Sequence, residues 1–137
     1  MESGKTILII DDEVDILGAL GFFLRRRRME VLTAENGLDA LTIIQAARIK
    51  PDLIILDVNM PIMNAKEFLD ARKARNIEPS IPVILLSSEV WEENELEVID
   101  HVSKPFELMN MMERIDFHLK QVTNDVLNVV DGKSKTF

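Results

Sequence analysis

The chain has 137 residues, no cysteine and a formal net charge of −8, with 47% hydrophobic and 29% charged residues. That balance fits one globular domain with a sizeable core, excludes a disulfide framework or a thiolate metal site, and argues against nucleic-acid binding by the domain as a whole. No apolar run approaches the length of a membrane span, and MESGKTILII lacks the layout of a signal peptide, so a cytoplasmic protein is expected.

Ile7 to Ile10 is a continuous apolar run of the kind buried on both faces of a parallel sheet, and it ends in Asp11-Asp12-Glu13. Leu17, Leu20 and Leu24 recur at helical spacing and predict a first helix from about Val14 to Arg27. The basic run Arg25 to Arg28 closes that helix, where cations suit the dipole. It reads as a solvated helix end, with a docking patch for an acidic partner as the alternative. Glu30 to Ala34 reads as a short strand. Asn36, with Asp39 three positions on, opens a helix carrying Leu41 and Ile44, and Lys50-Pro51 is expected to end it.

Leu53-Ile54-Ile55-Leu56 is another buried-type strand, ending abruptly in Asp57, Asn59 and Met60-Pro61. Asn64 and Glu67 form a capping pair, starting a helix through Phe68 and Leu69 to about Arg75. Pro79 and Pro82 bracket the approach to Val83-Ile84-Leu85-Leu86, a fourth strand that ends in Ser87-Ser88. Ile99 to Ser103 is a poor fifth strand, followed by Lys104-Pro105, and a last helix starts near Phe106.

Strands alternating with helices predict an α/β fold, a flavodoxin-like doubly wound sheet of five parallel strands in the order 2-1-3-4-5. All carboxyl ends then share one rim. It gathers Asp11 and Asp12 from the first strand, Asp57 from the third, Ser87 from the fourth and Lys104 from the fifth. Alone, Asp57 is an ordinary strand-terminating turn residue and Lys104 a surface lysine before a helix. Together they are a site. Acids stand where a dinucleotide-binding strand would carry glycines.

Crowded carboxylates disfavour one another's ionised forms, and one lysine cannot neutralise three. Mg²⁺ resolves the conflict, since it takes one or two carboxylates together with waters and phosphate oxygens. Ser87 and Lys104 can then contact a second anionic group, and Asp57 suits the nucleophile that forms an acyl-phosphate.

DDE after the first strand, D-x-N-M-P-x-M after the third, a hydroxyl after the fourth and KPF after the fifth, with ENGLDAL between, resemble the receiver domain of two-component response regulators. The resemblance runs from about Thr6 to Val122. It implies that Asp57 accepts a phosphoryl group from a phosphohistidine on a sensor histidine kinase or histidine phosphotransfer protein. It also implies Mg²⁺ held by Asp12, Asp57 and the backbone carbonyl of Asn59, with Asp11 acting through water. Ser87 and Lys104 would hold phosphoryl oxygens, and Lys104-Pro105 would be a cis peptide. Such a protein catalyses only its own phosphorylation and dephosphorylation, and signals to a downstream protein by contact.

Three features depart from the family pattern, two at single positions and one in a spacing. Ala65 replaces a glycine that usually relieves a tight backbone, so the loop beside Asp57 is expected to be reshaped. His101 stands where an aromatic switch residue is usual; it reads either as a half-exposed strand-edge histidine or as a polar switch whose charge follows pH. Only sixteen residues, Ser88 to Ser103, separate Ser87 from Lys104, so the fourth helix is expected to be shortened. That segment holds Glu89, Glu92, Glu93, Glu95 and Glu97 around the single Trp91, and Ser88 to His101 is the expected output surface.

Two other readings compete. A Mg²⁺-dependent phosphatase with an aspartyl nucleophile would carry D-x-D on its first strand and need a cap domain. A receiver-like scaffold working without phosphorylation would not need the full set of acids, Ser87 and Lys104. The expected organisation is a receiver domain over 1–124 and a C-terminal helix extension and tail over 125–137. Leu108, Met112, Ile115, Leu119, Val122, Val126 and Val129 alternate by four and three residues, a heptad pattern carried past the domain. A fifth helix is expected to reach about Val130 and to pair its far stripe with a second subunit, as a homodimer, or with a partner helix. Asp131-Gly132 supplies a stop and Lys133 to Phe137 a frayed tail.

Overall fold

In three strands every residue is buried: β1 (Thr6–Ile10), β3 (Leu53–Asp57) and β4 (Val83–Ser87). That is what their unbroken apolar runs require of strands covered on both faces. The computed structural model describes residues 4–88 and 96–130, with backbone alone for 122–130. β2 (Glu30–Ala34) and β5 (Asp100–Ser103) are only partly buried and form the two edges of a five-stranded parallel sheet, order β2-β1-β3-β4-β5. This is the flavodoxin-like topology read from the sequence.

Four helices are found among the described residues: α1 (Val14–Arg26), α2 (Gly37–Ala46), α3 (Ala65–Ala74) and α4 (Leu108–Val130). Leu8, Ile10, Ile54, Leu56, Val83 and Leu85 share one hydrophobic cluster with Leu41 and Ile44 of α2 and Phe68 and Leu69 of α3. Side chains alternate across a strand, so Ile7, Ile9, Ile55 and Ile84 point to the opposite face. α1 lies against β1 and β2, with Leu17, Leu20 and Leu24 buried.

Local chemistry sets the helix ends. Asn36 Oδ1 accepts from the Asp39 N–H at 2.9 Å, and Asn64 with Glu67 forms the reciprocal capping box that their spacing predicts. α2 stops at Ala46, four residues before Lys50-Pro51 was expected to stop it. The Lys50 ammonium reaches back to the carbonyls of Ile44 (2.7 Å) and Gln45 (3.3 Å) and satisfies the open helix end.

Gly37, at the start of α2, fits against the loop after β3. A Cβ there would lie 2.8 Å from Met63 Cγ, 2.9 Å from Met63 O and 2.9 Å from Phe68 Cβ. Alanine is normally the better helix residue, but here overpacking wins. Gly37→Ala is expected to cost about 1–3 kcal/mol by urea denaturation; an unchanged midpoint would contradict the close approach.

The loop between β3 and α3 is shaped at Ile62. That residue adopts φ 68 and is 75% exposed, an uncommon backbone for a β-branched residue. Ala65 is the fully buried first residue of α3, and its N–H donates to Val58 O at 3.1 Å. It does not have a positive φ, so no glycine is needed there.

The chain divides into two compact units, Met1–Phe106 and Glu107–Phe137. In the second, α4 reaches Val130, and among its described side chains Met111, Met112, Ile115 and Leu119 are buried. The side chains of Val122, Val126 and Val129, on which the pairing stripe rests, lie outside the described residues, as do the stop and tail after Val130. The expected fourth helix and Trp91 fall on residues 89–95, also outside the described ones, while 96–99 form no regular element. Among the described residues no helix is long and apolar enough to cross a membrane.

Candidate functional site

Strand ends deliver the functional groups. Asp11 follows β1 and is fully buried; its N–H donates to Ala34 O at 3.0 Å and its Oδ1 accepts from the Glu13 N–H at 2.8 Å. Asp57, the last residue of β3, is 6% exposed, and Ser87, the last of β4, is 1% exposed. Lys104 is anchored by its own N–H, which donates to Ser87 O at 2.8 Å. The Lys104-Pro105 bond is cis, as the resemblance implies.

The Lys104 ammonium joins these ends. It lies 2.9 Å from Asp11 Oδ2, 2.9 Å from Glu13 Oε1 and 3.1 Å from Asp57 Oδ1. Carboxylate oxygens of Asp11, Asp12 and Asp57 fall within 4.8 Å of one another, with Asp12 exposed to solvent. A cavity of about 560 Å³ opens over them, bounded by Asp12, Glu13, Asp57, Asn59, Ser87, Ser88, Lys104 and Phe106 among others. Asp11, Asp12, Asp57, Asn59, Ser87 and Lys104 are thus all brought to one rim.

His101 is a different case. It pairs with Leu85 in the β4–β5 register, is half-buried, and its Nε2 has no hydrogen-bond partner among the described residues. It is not among the residues bounding the cavity. Glu13 is the residue whose position the sequence reading left without a role. Its signal is weak but present: glutamate is a poor N-cap, and it follows two acids at the start of a helix.

The electrostatics follow from burial. The Asp57 carboxyl is raised to about 6, first by desolvation, then by the Asp11 charge and a hydrogen bond with Asp12, with Lys104 opposing them. Burial also raises Asp11, against its bonds to the Glu13 backbone and Lys104. Burial alone would lower Lys104, but Asp11, Glu13 and Asp57 together hold it well above the ordinary lysine value. Oxygen donors crowded around one ammonium match a hard divalent cation, and the Asp12 side is open to receive it.

A titration follows. Asp57 is raised in the folded state, so its protonation stabilises the fold at low pH, and that contribution is lost as pH climbs from about 4 through about 6. Carboxyl ¹³C NMR of the metal-free protein is expected to show an Asp57 midpoint near 6. A midpoint near 4 would contradict the burial argument.

A lysine drawn from beyond the edge strand β5 onto aspartates at the centre of a 2-1-3-4-5 sheet places this domain among the CheY-like members of the flavodoxin-like fold. The chain belongs to the response regulator receiver domain family, whose sequence profile matches residues 7–116.

Among its relatives is the transcriptional regulatory protein PrrA of Mycobacterium tuberculosis, 31% identical over 129 residues, covering 88% of this chain and 54% of that one. The sporulation initiation phosphotransferase F of Bacillus subtilis is 31% identical over 125 residues, covering 88% of this chain and 98% of that one. This chain spans about half the length of the transcriptional regulators it matches. Among solved structures, the chemotaxis protein CheY4 of Vibrio cholerae superposes with a TM-score of 0.73 at 29% identity, over 82% of this chain and 96% of that one. The receiver domain of the hybrid histidine kinase CckA gives 0.68 at 32% identity, over 83% and 98%.

Proposed function

We propose that this chain is a phosphoacceptor, with Asp57 taking a phosphoryl group from the phosphohistidine of a sensor histidine kinase or a histidine phosphotransfer protein. The observation that carries the reading is the Lys104 ammonium shared between Asp57 and Asp11 at 3.1 and 2.9 Å in an acid-lined cavity. A carboxylate oxygen of Asp57 attacks phosphorus, the donor's N–P bond breaks, and its electron pair returns to the imidazole. Lys104 supplies a positive charge to the phosphoryl oxygens, and the Ser87 hydroxyl, at the end of the neighbouring strand, donates to another.

Asp12, Asp57 and the backbone carbonyl of Asn59 would hold Mg²⁺, with Asp11 behind them through water; when bound, the ion offsets negative charge on the acids and the phosphoryl group. The reaction is on the protein itself, so the chain has no separate substrate to turn over. Output is by contact with a downstream protein in the cytoplasm. The net charge of −8 and the relative named a phosphotransferase support a relay role rather than DNA contact by this domain. Incubation with ³²P-labelled acetyl phosphate tests the reading: label is expected with Mg²⁺ and lost with a chelator. Absence of label in both conditions would overturn it.

A further inference from the structure

Glu13 stands at the N-cap of α1 yet makes no capping hydrogen bond with its side chain. Its backbone is fixed, with its N–H on Asp11 Oδ1 and its carbonyl accepting from Ile16 and Leu17. The side chain turns instead to Lys104, 91 positions away in sequence, at 2.9 Å. Three carboxylates crowd the ammonium at ion-pair distance, Asp11, Glu13 and Asp57, and it donates a hydrogen bond to Glu13 Oε1.

These three acceptors are not equally free. The Asp11 side chain is 0% exposed and that of Asp57 8%, whereas that of Glu13 is 59% exposed. Only Glu13 can turn to water without leaving a buried charge unpaired. A phosphoryl group on Asp57 brings new anionic oxygens that need a Lys104 donor, and the donor held by the exposed Glu13 is the one that can be released, since Asp11 is buried in place. Glu13 also bounds the cavity through which a donor enters.

We propose that Glu13 is a latch on Lys104, a positioning residue that holds the ammonium at rest and releases it to the incoming phosphoryl oxygens. This rests on the phosphoacceptor reading of Asp57. With acetyl phosphate the step balances: an Asp57 oxygen forms the new bond to phosphorus, the acetyl–oxygen bond to phosphorus breaks, and acetate leaves with the electron pair. No proton moves. Opening the latch is a cost of that step, and the anionic Glu13 further opposes an anionic donor at the mouth.

The test uses the full chain, its Glu13→Gln and Glu13→Asp variants, acetyl phosphate and Mg²⁺. Asp keeps the charge but is one methylene shorter and loses the reach. Both variants are expected to accept label about two- to fivefold faster than the native chain at low ionic strength, the scale of a largely exposed ion pair. The gain should shrink as salt screens the pair. ¹³C relaxation of the Lys104 ε-methylene in the metal-free proteins is expected to show greater mobility in both variants, which a merely structural Glu13 would not produce. Native labelling with unchanged variant rates, or unchanged Lys104 mobility, overturns the latch alone. Faster labelling by Glu13→Gln with native behaviour of Glu13→Asp also overturns it, leaving charge repulsion without a contact. A native chain that takes no label overturns the phosphoacceptor reading and the latch with it.

Discussion

Asp57→Asn is expected to take no label from acetyl phosphate under conditions in which the native chain is labelled. The amide is nearly isosteric but lacks the nucleophilic oxygen, and Asp11 and Asp12 end on a different strand, so neither can stand in for it at the same point. A second readout should move the opposite way. The Asp57 carboxyl is raised from 3.8 to about 6 because burial and Asp11 oppose its charge. At neutral pH the ionised form therefore destabilises the fold, on the order of 3 kcal/mol for a shift of this size in a buried group. The Asn variant should be more stable than the native protein by about that amount at pH 7.5, with the gain vanishing below about pH 4. Loss of label together with loss of stability would mean damage to the fold and would sink the assignment.

Arg72 carries the second large effect. It lies in the last turn of α3, is 5% exposed, and donates from Nε to Ile77 O and from Nη2 to the carbonyls of Glu78 and Ile81. Its guanidinium thus closes the turn between α3 and β4, which contains left-handed residues at Asn76 and Glu78. Burial lowers its pKa, with Glu78 and Glu97 opposing that, yet an arginine stays charged. Arg72→Met keeps the apolar stem and leaves three carbonyls without their donor. A loss of about 3 kcal/mol is expected, since bonds to a charged donor are worth about 1.5–3 kcal/mol each, and removing a desolvated cation returns part of that. Arg72→Lys should recover little, because one ammonium cannot reproduce the fork. An unfolding free energy from urea denaturation within about 1 kcal/mol of native for Arg72→Met would refute the role.

The difference between Asp57 and Arg72 shows what the sequence makes visible. β1, β3 and β4 are legible because burial on both faces forces four apolar residues in a row, and few other environments do. Asn36 and Asn64 are legible because a cap needs its partner at a fixed spacing of three. The rim follows from those strand ends once the strand order is settled, which is how Asp11, Asp57, Ser87 and Lys104 come together on paper.

Arg72 is hidden because an arginine late in a helix looks solvated whether or not carbonyls from the next loop fold over it. The end of α2 is hidden for a related reason: Lys50 satisfies it from outside the helix. Glu13 is hidden because its partner is 91 positions away, and local patterning carries no information over that span. At Ala65 the departure from the family pattern shows in the backbone of the loop itself. The loop takes its left-handed residue at Ile62, three positions earlier, and Ala65 is left with ordinary helical geometry.

The ammonium of Lys104 touches residues delivered by the first and third strands while its own backbone hangs from the fourth. No fragment of the chain carries that meeting, and a slip of one residue in any of those strands would turn the donor or an acceptor to the other face. Separate helices, by contrast, can form from local sequence and give a far-ultraviolet signal in a loosely packed chain. On the phosphoacceptor proposal, phosphate taken up at Asp57 would count molecules whose whole sheet is in register, so a labelling assay run during refolding would be a clock for the last long-range pairing rather than for collapse.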